Sequence, residues 1–165
     1  MPGQDTERVM RCRDLLADCT PLNSDCGALC GAACCRSLEG EETGMLLFPG
    51  EETLYRDRQG FRMAETGQGT LLICNGMCHR RERPLACRLF PLLPVIRDGG
   101  IRVAVDARAR AVCPLRRVDA CGAGFIGAVR RVGEILAEDP VQRAFLERLT
   151  GMHDELRALQ RQMNR

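Results

Sequence analysis

Four thiols fall within ten residues at CGALCGAACC, residues 26 to 35, with only glycine, alanine and one leucine between them. A packed core needs bulk, and this segment has almost none. Its small side chains leave room beside the sulfurs, and its glycines permit tight turns that bring backbone amides close. On a helix each step of four residues advances about 40°, so Cys26, Cys30 and Cys34 would form one stripe, with Cys35 turned about 100° from Cys34. Gly27 and Gly31 argue against a regular helix there. The adjacent Cys34 and Cys35 are poorly placed for a disulfide, because ordinary bridges need Cα atoms about 4.4–6.8 Å apart. The segment therefore reads as a wall around something that is not protein.

The chain has 165 residues and eleven cysteines, an odd count that suits no closed disulfide framework. The first sixteen residues, MPGQDTERVMRCRDLL, contain no apolar run of a secretory signal. No apolar stretch approaches the ~20 residues of a membrane span. These features predict a cytoplasmic protein, where thiols stay reduced and clustered cysteines serve metals more often than disulfides. A net charge of +2 argues against nucleic acid as the main partner. All 24 basic residues are arginine, which excludes lysine Schiff-base chemistry. Two serines and two histidines leave little for a Ser-His-Asp hydrolase. There is no Gly-rich phosphate loop, and Gly122-Ala123-Gly124 reads as a helix start.

Residues 5 to 18 predict a first helix, with Val9, Cys12, Leu15 and Leu16 roughly on one face. Residues 36 to 44 read as a loop, Met45 to Phe48 as a short apolar stretch, and PGEETLYRD as a helix start. GFRMA and GTLLIC predict two short strands. RPLACRLF predicts a helical turn between Pro84 and Pro91. LPVIRDGGIRVAVD predicts a hairpin turning at Asp98-Gly99-Gly100. Residues 123 to 138 read as an amphipathic helix with Phe125, Val129, Val132 and Leu136 inward. A second helix begins at Pro140, with a stripe of Phe145, Leu149, Met152, Leu156, Leu159 and Met163. That stripe fits packing on its own domain better than a homodimer or protein-partner seam, although its spacing suits both.

Further thiols are spaced as ligands would be. Cys74 and Cys78 enclose Asn75-Gly76-Met77, Cys87 sits in the Pro84 turn, and Cys113 precedes Pro114. A metal ion with a preference for soft ligands, zinc or iron, collects thiolates from such loops. Four thiolates on Zn²⁺ leave two net negative charges, and Arg83 and Arg88, flanking Cys87, are expected to offset them by donating to sulfur. His79 and His153 read as surface residues. Cys12, Cys19 and Cys121 read as structural, and Glu41, Glu42, Glu51 and Glu52 as solvated or helix-start acids.

Taken in order, CGALCGAACC, GMLLFPGEE, C-x3-C, RPLACRLFP and a late CP resemble the YkgJ-like cysteine-cluster proteins, described as a zinc- or iron-chelating domain. The resemblance covers roughly residues 26 to 114. It implies as metal ligands Cys26, Cys30, Cys34, Cys35, Cys74, Cys78, Cys87 and Cys113. The family's opening group is tighter, close to CxxCxxCC, where this chain has C-x3-C-x3-CC.

The expectation is a small cysteine-rich α+β domain centred on metal, with short strands, a hairpin and a C-terminal helical hairpin. Residues 20 to 118 would form the metal-binding core and 122 to 164 a helical cap. Three functions stand open: a zinc- or iron-binding protein, an iron–sulfur enzyme or redox component, and a thiol redox sensor using Cys34 or Cys35. Eight thiolates exceed the four that one tetrahedral zinc takes, so two zinc sites or a cluster beside an open site both fit. Whether the chain catalyses a reaction, and on what substrate, is left open by the sequence.

Overall fold

A computed structural model describes residues 3–36, 44–76 and 78–164. The loop expected at 36–44, with Glu41 and Glu42, falls almost wholly outside these residues, as does Met77.

The chain is α+β. It runs α1 (Gln4–Leu15), α2 (Cys26–Cys30), β1 (Gly44–Leu46), β2 (Phe61–Thr66), β3 (Gly69–Cys74), α3 (Leu85–Leu89), β4 (Leu92–Arg97), β5 (Gly100–Val105), α4 (Ala109–Val112), α5 (Ala123–Ala137) and α6 (Pro140–Met163). β1, β3 and β2 form an antiparallel sheet in that order. Its register sets Phe61 opposite Cys74 and Met63 opposite Leu72. β4 and β5 form a separate hairpin, with Leu92 opposite Val105 and Arg97 opposite Gly100. Its two turn residues, Asp98 and Gly99, take φ of 51° and 74°, the left-handed pair that a type I′ turn requires.

The C-terminal helices contribute much of the main core. Val9 and Leu16 of α1, Leu85 and Leu89 of α3, Leu92 of β4, Phe125, Val129, Val132 and Leu136 of α5, and Phe145 and Leu146 of α6 pack as one buried cluster. A smaller cluster of Leu47, Tyr55 and Leu72 sits under the three-stranded sheet. α5 lies so close on the hairpin that a Cβ at Gly133 would stand 2.7 Å from both Pro94 Cβ and Ile101 Cγ2.

Several local expectations need correction. Leu15 is exposed, because the buried side of α1 runs through Thr6, Val9, Cys12 and Arg13 to the capping Leu16. The PGEETLYRD segment forms a single 3₁₀ turn, Glu51–Leu54, and not a longer helix. Glu51 opens this turn, one of the two places expected for it, but it is fully buried and not solvated, because two backbone amides and Arg13 surround its carboxyl group. His153 is half-buried, its Nδ1 accepting from the Ala107 amide at 3.3 Å. The α6 stripe divides: Phe145 packs inside, while Met152, Leu159 and Met163 are exposed because the helix outruns the body it packs on.

Candidate metal centre

The cysteine segment is helical only briefly. Asp25 caps α2 by accepting from the Gly27 amide at 3.0 Å. Gly31 then ends it in the left-handed region at φ 65°, and Ala32 follows at φ 54°. A 3₁₀ turn, Ala33–Cys35, completes the segment. The four-residue stripe therefore holds from Cys26 to Cys30 and breaks before Cys34, as the glycines foretold.

Other elements bring the remaining thiols to this turn. Strand β3 ends at Cys74, and its pairing with Phe61 fixes that end in place. The loop after it passes close over the cluster: a Cβ at Gly76 would lie 3.1 Å from the Cys35 carbonyl oxygen, at a φ of 83°. Only glycine suits both conditions. Pro84 starts α3, whose middle residue is Cys87. α4 packs against the Ala33–Cys35 turn and ends at Cys113.

The outcome is two adjoining cavities. One, of about 120 Å³, is lined by Cys26, Cys30, Cys34, Cys35, Cys87 and Cys113. The second, of about 70 Å³, is lined by Cys34, Cys35, Cys74, Cys78 and Cys87. Cys34, Cys35, Cys87 and Arg83 belong to both, so they form the partition. Each of the eight cysteines singled out in the sequence thus lines one or both cavities, while Cys12 is buried in the main core, away from both. Cys121 also lines neither cavity, yet it is near enough to Cys113 and Cys26 to feel their charge. Its burial, aided by those neighbours, pushes its thiol up to about 11.

Electrostatics separates the thiols. The Cys34 and Cys35 sulfurs stand 4.0 Å apart. The hydrogen bond from Cys34 holds Cys35 down to about 6 against the opposing effect of burial, and the Arg83 guanidinium lowers it further. Cys34 moves the other way, raised first by that same hydrogen bond and then by burial. Burial is the main cause of the upward shifts at Cys26, Cys78, Cys87 and Cys113. The pair therefore shares a proton across the 4.0 Å contact, and that shared hydrogen bond is the largest influence on both thiols.

The two flanking arginines differ in role. Arg83 faces sulfur: its charge lowers both Cys78 and Cys35, it lines both cavities, and its buried Nε has no hydrogen-bond partner. Arg88 does not donate to sulfur as expected. Its Nε, Nη1 and Nη2 go to the carbonyl oxygens of Arg83, Arg13 and Arg81, because backbone from α1 and from the loop before α3 closes around it. Arg80 works similarly, donating to the carbonyls of Leu16, Ala17 and Cys19 beyond α1. Glu51 accepts from the Leu85 amide at 2.7 Å and from the Phe48 amide at 3.3 Å, so it anchors the start of the helix that carries Cys87. Nothing in the spacing of Glu51 or Arg80 marks these roles; a carboxylate among apolar residues beside Pro-Gly was the one available hint.

The donor set fits a soft metal ion. It consists of thiols, its walls are glycine, alanine and proline in part, and a guanidinium stands beside it. Zinc with Zn–S bonds of about 2.3 Å needs sulfurs about 3.8 Å apart at a tetrahedral edge. The Cys34–Cys35 separation of 4.0 Å is close to that edge. Among the described residues, no three Cys, His, Asp or Glu side chains are drawn together tightly enough to hold an ion as they stand. His79 is exposed and lines neither cavity. No helix among the described residues is long and apolar enough to cross a membrane.

Comparison with family models, with curated proteins and with solved structures gave no match to this chain.

Proposed function

We propose that this protein binds zinc or iron through cysteine thiolates, in the manner of the YkgJ-like proteins that its motifs resemble. One observation carries the reading. Eight cysteines from four separate stretches of sequence line two adjoining cavities that share Cys34, Cys35 and Cys87. Buried structural thiols scatter through a core; these surround open space instead. Cys26, Cys30 and Cys113 belong to one side and Cys74 and Cys78 to the other, so the arrangement favours two sites or one multinuclear site. Ligation requires thiolates, so loading would release protons and couple to folding. Reduced thiols are a condition of the proposal, and a reducing compartment such as the cytosol belongs to it.

A redox reading is favoured by a different observation: the adjacent Cys34 and Cys35 sulfurs stand 4.0 Å apart, and the hydrogen bond between them, with Arg83, pulls Cys35 down from the ordinary thiol range. That pair would supply a sensor if no metal were held.

The test is protein purified without oxygen and without an affinity-tag metal, with zinc, iron and acid-labile sulfide counted per chain. At least one equivalent of metal is expected, lost in Cys34→Ser and Cys35→Ser. Colourless protein with zinc supports chelation; iron with sulfide and a broad visible band supports a cluster. Full free thiols with no metal, or metal unchanged in both variants, would refute the ligand assignment.

A further inference from the structure

An open cleft of about 470 Å³, separate from the thiol cavities, is lined by Asp106, Arg110, Arg116, His153 and Arg157 with Ala104 and Val105 of β5. Three guanidinium groups therefore face one concavity. Guanidinium forks match the oxygens of phosphate and carboxylate two at a time.

The nearby acids are already taken. Asp106, the one acid of the lining, accepts through Oδ1 from the Nε and the backbone amide of Arg108, both at 2.9 Å, and pairs with the Arg108 Nη2 through its other oxygen. Asp154, beside His153, is paired with Arg97 at 2.6 Å. Among the described residues, Arg110, Arg116 and Arg157 form no ion pair. The Arg116 Nε reaches only the Cys113 carbonyl, at 3.4 Å.

The frame of the cleft is held from both sides. The Ala107 amide donates to His153 Nδ1, and Gln160 Nε2 donates to the Ala107 carbonyl at 2.8 Å. These bonds tie α6, which carries Arg157, to the segment that leads into α4 and Arg110. With Nδ1 accepting, the neutral His153 ring carries its proton on Nε2 and adds a donor to the lining. The volume suits a small ligand.

We propose that this cleft binds a small polyanion, a molecule with two or more oxyanion charges close together, through Arg110, Arg116 and Arg157. The inference stands on the cleft alone and does not rest on metal at the thiols.

The experiment is calorimetric titration of the full chain at low salt, with pyrophosphate and, separately, with tricarballylate. The two probes separate phosphoryl from carboxylate sources of the same chemistry. One saturable equivalent of at least one probe is expected. Arg110→Gln and Arg157→Gln should each weaken it about tenfold or more, since a hydrogen bond to a charged group contributes about 1.5–3 kcal/mol. Arg117→Gln removes the same charge outside the cleft and should leave the affinity within about twofold. Circular dichroism checks that each variant is folded. Saturation by neither probe would overturn the proposal, and so would heat that survives in Arg110→Gln/Arg157→Gln or equal weakening by Arg117→Gln.

Discussion

Glu51 is the residue whose removal tests the architecture most directly. Its side chain is fully buried, it accepts from Leu85 and Phe48, and it lies 3.6 Å from the nearly buried Arg13. Glu51→Ala strands two buried amides, each at about 1–3 kcal/mol, and a total of about 4 kcal/mol is expected where the carboxyl group is protonated and carries no charge for Arg13 to lose. That is a large part of the roughly 5–15 kcal/mol that holds a domain together.

The loss should depend on pH, with a definite sign. Burial raises Glu51 from 4.5 to about 7, outweighing the two amides and Arg13. The folded chain therefore holds this proton where the unfolded chain has lost it, and wild-type stability falls as pH rises from the unfolded value to the folded one. The slope approaches about 1.4 kcal/mol per pH unit. The variant lacks this titration. The gap between wild type and Glu51→Ala should then be about 4 kcal/mol near about pH 5.5 and narrow to about 2 kcal/mol by about pH 8. Urea unfolding of both proteins across that range, followed by circular dichroism, reads it directly. A gap under about 1 kcal/mol at the acid end would sink the anchoring role. A gap that widens with pH would show that the Glu51–Arg13 ion pair outweighs burial, which reverses the argument.

Other expectations follow from single contacts. Gly133→Ala places a methyl group 2.7 Å from Pro94 and Ile101 on the hairpin, so unfolding free energy should drop by about 1–3 kcal/mol; an unchanged midpoint would mean the helix can lift without loss. In metal-free protein the alkylation rate of Cys35 should rise through about pH 6, and Cys34→Ala should move that midpoint upward more than Arg83→Gln does, because the thiol hydrogen bond is the larger cause. The reverse order would assign the thiolate to Arg83. Cys12→Ala empties one sulfur from the core at about 1 kcal/mol and should leave metal content alone; lost metal would put Cys12 among the ligands.

The legible parts of this chain were those whose signal is local. The β4–β5 hairpin could be read from Asp98-Gly99 between two β-rich runs, and α5 from an inward stripe that the fold buries in full. The eight cysteines stand out because ligand spacing is itself a local pattern, and all eight line the two adjoining cavities. What stayed hidden depends on partners far away in sequence. Glu51 is buried by Leu85 and Arg13, and Arg88 is drawn off sulfur by the Arg13 carbonyl, 75 residues away. Such contacts explain the RPLACRLFP motif better than sulfur chemistry does. Arg83 serves the thiols, Leu85 is tied to Glu51, Cys87 enters the partition, and Arg88 binds three carbonyls around α1. One short segment thus locks the cysteine walls to the helical core. Strain or metal at the thiols would be felt at α1, so metal loading and global stability should rise and fall together.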